Sequence, residues 1–238
     1  MSANHIKTLM FDVFGTVVDW RSSVVREAAA LANEKGLDGD WEGFADDWRG
    51  LYQPMMAKVR EGEMGWTDLD TLHRMGLDTL LADYGLEGLS EPELEHLTRA
   101  WQRLDPWPEA VAGMTRLKSR YIVAALSNGH IALIVNMAKR AGIPWDMVLG
   151  AEVTQAYKPH PAAYLGSVAA LKLEPDQCLM VATHDDDLAA ATACGLGTAY
   201  VHRRHELGPP ERKLGPSGAY DFVAEDFDDL AQQLGCPL

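Results

Sequence analysis

The chain has 238 residues, of which 47% are hydrophobic and 24% charged. That length suits one large globular domain, or one domain carrying an insertion, with a core that needs no disulfide or metal staple. Asp and Glu number 35 against 21 Lys and Arg, and the net charge of -14 argues against nucleic acid and membrane surfaces as partners while leaving small anions open.

The first element is the run Ile6-Lys-Thr-Leu-Met-Phe11, which ends at Asp12 and then Gly15-Thr16. It reads as a buried strand delivering a carboxylate onto a loop. Residues 22–101 carry helical spacing, at 24–31, 44–59 and 69–84, with few β-branched clusters, so a helical unit is expected there. Asp105-Pro-Trp-Pro108 punctuates the chain and marks a return to the first unit. Beyond it the pattern alternates, with strands at 121–126, 147–149, 178–181 and 198–201 and helices at 130–141, 161–171, 185–194 and near 227–234. Such alternation implies an α/β fold with a doubly wound parallel sheet, which places ligands at the carboxyl ends of its strands. Residues 202–218, with Gly208-Pro-Pro210 and Gly215-Pro216, read as a surface loop. No internal repeat is present, no apolar run approaches a membrane span, and no signal-peptide pattern opens the chain. Cys178, Cys194 and Cys236 lack paired spacing, so a reducing, cytoplasmic setting is expected.

Four polar sites follow these strands: Asp12 to Thr16, Ser127-Asn128-Gly129, Lys158-Pro159 and His184-Asp-Asp-Asp187. A parallel sheet brings them to one edge although they lie far apart in the chain. A carboxylate beside an ammonium stays ionised, and in a dry pocket it is a competent nucleophile. Each residue also has a plainer reading. Lys158 alone would be a surface lysine, Ser127 a helix cap, and Asp185 and Asp186 first-turn acids that complement the helix dipole. Arg49 would be a solvated face residue, and a metal site on the three aspartates is the less favoured alternative to first-turn acids. The order and context of the four sites favour the catalytic reading.

Asp12-Val-Phe-Gly-Thr16 after a strand, then Ser127-Asn128, Lys158-Pro159 and the late Asp187, resembles the haloacid dehalogenase superfamily over almost the whole chain. The resemblance implies a Rossmann-like core of residues 1–18 and 106–238 and an inserted helical cap of residues 19–105. Two departures select a branch. Phosphatases of the superfamily carry a second acid two residues after the nucleophile, where this chain has Phe14. They also ligate Mg²⁺ through an Asp four positions before the late one, where this chain has Thr183. A halide leaves more readily than an alkoxide and needs neither acid, so the chain resembles the type II L-2-haloacid dehalogenases more closely than any phosphatase.

That branch implies a cofactor-free, metal-free hydrolase acting on short 2-haloalkanoic acids with inversion at C2. Asp12 would attack C2 to form an ester, and water positioned or activated near Asp187 and Lys158 would hydrolyse it. Thr16 and Ser127 would hold carboxylate oxygens, Arg49 assisted by Asn128 would bind the halide, and Tyr164 matches the family's active-site tyrosine. Phe14 and Trp48, with Trp20 and Tyr52, would wall the pocket. Better-known members carry Ser-Ser-Asn where this chain has Ala182-Thr183-His184. His184 would donate to the halide, orient Asp187, or cap the following helix. The rival readings are a Mg²⁺-dependent small-molecule phosphatase and a catalytically silent carboxylate-binding protein. The expected partner is a small-molecule haloacid, with no nucleic acid or membrane, and a homodimer is the assembly carried with this reading.

Overall fold

In the computed structural model, which describes residues 3–209 and 215–237, β1 (Thr8–Phe11) begins a six-stranded parallel sheet. The chain leaves it through β2 (Val18–Asp19), crosses a series of helices and returns through β3 (Asp105–Pro106). These two short strands pair antiparallel, Val18 opposite Pro106 and Asp19 opposite Asp105. The remaining strands are β4 (Ile122–Leu126), β5 (Met147–Leu149), β6 (Cys178–Ala182), β7 (Gly197–Val201) and β8 (Phe222–Ala224). The spatial order is β5-β4-β1-β6-β7-β8. Strands β1, β6 and β7 are buried throughout. Covered on both faces, they show continuous apolar runs rather than alternation. Phe11 lies level with Ala125 of β4 and Val181 of β6, so Asp12, Ser127 and Thr183 emerge together at the carboxyl edge. Chain order runs outward from β1 to β5 on one side and restarts at β6 on the other, and the reversal opens a crevice there.

Five helices lie between β2 and β3: α1 (Trp20–Lys35), α2 (Trp41–Gly50), α3 (Tyr52–Arg60), α4 (Leu69–Leu80) and α5 (Glu91–Thr98). Asp19, Asp40 and Asp68 cap α1, α2 and α4 by accepting backbone N–H groups of Ser22, Gly43 and Thr71. The apolar spacing at 44–59 is not one helix, because the chain restarts after Leu51. Pro54 lacks the N–H that a continuous helix would bond to the Gly50 carbonyl, and near a helix start that loss is harmless.

Helices α6 (Ala110–Lys118), α7 (Ile131–Ala141), α8 (Pro161–Ala170), α9 (Asp185–Ala193) and α10 (Phe227–Gln233) flank the sheet. The sequence pattern omitted α6 and β8. For α6 a signal existed, since Ala110, Met114 and Leu117 share one face and are buried. Gly113 lets this helix approach α10, where a Cβ would stand 2.6 Å from that of Phe227. Strand β8 is a three-residue edge, too short to alternate. Within the expected surface loop at 202–218, residues 210–214, including Pro210, lie outside the described residues. Its described part is not all surface, because Arg203 and Glu206 turn inward and are buried. Among the described residues, no helix is long and apolar enough to cross a membrane.

Candidate active site

Asp12 stands one residue beyond β1, Lys158 on the loop entering α8, and Asp187 in the first turn of α9. All three are buried. Lys158 Nζ donates to Asp12 Oδ1 at 3.0 Å and also to Asp187 Oδ2. Thr16 Oγ1 donates to Asp12 Oδ2 at 2.8 Å while accepting the Thr183 backbone N–H at 3.0 Å. Tyr164 donates its hydroxyl to Asp187 Oδ1 at 2.7 Å. Burial opposes ionisation of Asp12, but Lys158 and His184 outweigh it and hold the carboxyl well below the usual carboxylate range. Burial likewise opposes the Lys158 ammonium, which the two carboxylates nonetheless raise above its ordinary value. For Asp187 burial dominates and pushes the carboxyl up. Burial and Asp187 together push the Tyr164 hydroxyl up, so it stays a proton donor. The two carboxyls are thus pushed in opposite directions, Asp12 towards the anion and Asp187 away from it.

A cavity of about 300 Å³ opens over Asp12. Phe14, Tyr52, Asn128 and Tyr164 form part of its wall, and Arg49, Lys158 and His184 bring positive charge to it. Arg49 comes from the last turn of α2. Its guanidinium lies 4.1 Å from the Tyr52 ring centroid and 5.3 Å from that of Trp20, and its Nη1 is buried without a hydrogen-bond partner. A cation held by ring faces is free to meet a small anion. Asn128 Oδ1 accepts the Lys158 backbone N–H at 2.7 Å, tying the loop after β4 to the loop before α8. Gln53, Arg60, Pro159 and Asp186 complete the lining.

Several expected site residues sit differently. Trp48 is absent from this wall. It packs inside the helical unit against Phe44 and Trp101, at ring centroid distances of 5.3 and 5.5 Å, and donates Nε1 to the His73 carbonyl. Its α2 neighbour Arg49 faces the cavity instead, since adjacent helical residues point about 100° apart. Ser127 Oγ accepts the Gly129 backbone N–H at 3.0 Å within its own turn, which leaves its hydroxyl proton available to a carboxylate. His184 occupies the cap position of α9 without a side-chain cap bond, and its ring nitrogens meet carboxylates other than Asp187. Its Nδ1 lies 3.1 Å from Asp12 Oδ2 and its Nε2 2.9 Å from Glu206 Oε1. Asp185 accepts from Tyr220 and Ser217, and Asp186 from the Asp187 backbone N–H.

Glu206 is the residue that sequence reasoning missed. It is 3% exposed, and its Oε1 accepts from His184 and, at 3.2 Å, from Trp20 Nε1. No local motif marks it, because it belongs to an irregular segment after β7. Its place depends on Gly15, whose φ of +90° suits glycine and where a Cβ would stand 2.1 Å from Glu206 Oε1. Arg203, also unforeseen, donates Nε to the Thr16 carbonyl at 2.7 Å and lies between the Trp107 and Phe227 rings. It braces the Asp12–Thr16 loop from behind.

The family model for haloacid dehalogenase-like hydrolases matches residues 6–195. A crystal structure of a defluorinating L-2-haloacid dehalogenase is 43% identical, with a TM-score of 0.94, over 96% of this chain and 95% of that one. A second L-2-haloacid dehalogenase structure is 44% identical, with a TM-score of 0.93, over 96% and 98%. (S)-2-Haloacid dehalogenase 4A of Burkholderia cepacia is 29% identical over 227 residues, covering 90% of this chain and 89% of that protein.

Proposed function

The chain belongs to the haloacid dehalogenase-like hydrolases, and we propose that it is an (S)-2-haloacid dehalogenase, converting short 2-haloalkanoic acids to 2-hydroxy acids through an aspartyl ester. The observation that carries this reading is a buried, ionised Asp12 in one cavity with an arginine that has no carboxylate partner among the described residues. Asp12 attacks C2 from the side opposite the halogen, which inverts that carbon. Arg49, assisted by Asn128, receives the halide where its charge develops. Lys158 keeps Asp12 anionic, Thr16 orients it, and Asp187 with Tyr164 holds Lys158 in place. Phe14 and Tyr52 keep the reacting atoms dry. Residues 1–18 and 106–238 act as the catalytic core and 19–105 as its cap, a division supported by the β2–β3 ribbon where the chain leaves and returns. A reducing, cytoplasmic setting, supported by three free cysteines, and a homodimer complete the reading.

Phosphoryl transfer fits these residues poorly. A Mg²⁺ ion on Asp12 needs further oxygen ligands. Phe14 and Thr183 supply no carboxylate, and the Lys158 ammonium already fills the space between Asp12 and Asp187. The test is a single turnover of 2-bromopropanoate in H₂¹⁸O with EDTA present. Halide release with label entering the Asp12 carboxylate is the expected result, and Asp12→Asn abolishes it. Label appearing first in the product would overturn the ester, and loss of activity to EDTA with recovery on Mg²⁺ would favour the phosphatase.

A further inference from the structure

His184 has both ring nitrogens against carboxylate oxygens, Nδ1 at 3.1 Å from Asp12 Oδ2 and Nε2 at 2.9 Å from Glu206 Oε1. A neutral imidazole carries one N–H, so only the imidazolium donates to both acceptors at once. Burial favours the neutral ring, but hydrogen bonds to the two carboxylates outweigh it and push the pKa up to about 10. The other charges near this ring stay constant through turnover. Lys158 shares Asp12 from its far oxygen, with Asp187 beyond it, and Asp185 and Asp186 begin the ring's own helix. Arg49 and Arg60 line the same cavity. Asp12 alone gains and loses charge in each cycle.

We propose that alkylation of Asp12 discharges His184: the imidazolium proton leaves with the halide, and the neutral ring, still held through Nε2 by Glu206, becomes the base for the water that cleaves the ester. The inference rests on Asp12 being the nucleophile. In the first step an Asp12 oxygen bonds to C2 while the C2–halogen bond breaks and the halogen takes its electron pair. The carboxylate becomes a neutral ester, so Nδ1 loses its anionic partner and its proton passes to solvent. Glu206 keeps the remaining proton on Nε2 and leaves the lone pair on Nδ1, facing the ester. In the second step Nδ1 takes a proton from water as the water oxygen bonds to Asp12 Cγ. Collapse breaks the bond from Cγ to the alkoxy oxygen. Of the two protons water supplied, one completes the product hydroxyl and the other restores the imidazolium beside ionised Asp12. One proton is released per turnover, and it is released in the first half-reaction.

Glu206 is then a positioning residue, anchored by Trp20 Nε1 and accommodated by the missing Cβ of Gly15. The test follows halide, proton and hydroxy acid separately during a single turnover of 2-bromopropanoate in weak buffer with a pH indicator near pH 7.5. In Glu206→Gln, where the ester persists longer because the base is poorly held, the proton is expected at the rate of halide release and ahead of the hydroxy acid. In His184→Asn, ester cleavage slows by about 10²-fold or more, the range for loss of a general base, and the proton appears only with the hydroxy acid. A second measurement needs no turnover. Asp12→Asn is neutral and close in shape to the ester, and ring signals of His184 in NMR spectra of that variant should titrate at markedly lower pH than in the native protein. Proton release tracking the hydroxy acid in Glu206→Gln, or an unchanged His184 titration in Asp12→Asn, overturns the inference. Halide release with no ester on Asp12 overturns the nucleophile assignment instead, so the two failures are distinct.

Discussion

An arginine set among aromatic rings differs from one paired with a carboxylate, because its charge is steadied without being neutralised. Arg49 is of the first kind, lying over Tyr52 and Trp20 with Nη1 unpartnered. On the proposed reading its interaction with substrate strengthens as the carbon–halogen bond breaks, which places it with the transition state more than with the bound haloacid. Arg49→Ala should therefore lower kcat by about 10²- to 10³-fold, or roughly 2.7–4 kcal/mol, as when one donor to a developing anion is lost. KM should change less. Steady-state kinetics with 2-chloro- and 2-bromopropanoate check this, and unchanged kcat would remove Arg49 from the halide site. Asp12, Lys158 and Asp187 show the same logic in reverse, since one shared ammonium leaves two neighbouring carboxyls with opposite tendencies.

At the scale of the element, helix α2 puts consecutive residues to different uses. Trp48 enters the interior of the helical unit and Arg49 enters the cavity. Trp48 is 1% exposed, and its indole N–H satisfies the His73 carbonyl, so its contribution is to the stability of the helical unit. Trp48→Ala should cost about 3–5 kcal/mol of stability through the cavity it leaves. The milder Trp48→Phe should lower the denaturation midpoint while leaving the ratio of chloride to bromide turnover unchanged. A changed halide ratio in Trp48→Phe would return the indole to the pocket wall. The missed elements have similarly concrete causes. Helix α6 is short and interrupted by Gly113, whose value lies in contact with α10 rather than in any pattern of its own. The ribbon β2–β3 joins residues 18–19 to 105–106, and neither strand is long enough to announce itself.

For the whole molecule, the acidic surface contrasts with a cavity carrying several cations, and folding itself is linked to protonation there. His184 has a pKa pushed up to about 10 in the folded protein, above the ordinary imidazole value of about 6.5. A group whose affinity for protons rises on folding stabilises the fold fully below its unfolded value. That contribution is lost as pH rises from about 6.5 through about 10. The native protein should therefore lose stability across this window more steeply than His184→Gln, as read from denaturant midpoints at several pH values. Parallel pH profiles in the two proteins would mean that the imidazolium is not coupled to folding.

Local sequence pattern was enough for five of the six strands of the sheet, for their parallel winding, and for placing Asp12 and Lys158 at one edge. Each is a local matter, an apolar run of strand length followed by a polar residue, and the parallel register then carries the strand ends to one edge. Asp12, Thr16, Lys158 and Asp187 could be placed at that edge for this reason, while Tyr164, inside α8, was expected only from the resemblance to the haloacid dehalogenases. That Trp48 faces inward follows only from the tertiary packing. It alone set His184 between Asp12 and Glu206, partners 172 and 22 residues away, and brought Trp20 to Glu206 across 186 residues. Local pattern records which way a backbone runs and which face it buries. It carries no record of what a buried charge will meet once distant loops close on one another, and here that meeting sets the charge of the histidine beside Asp12.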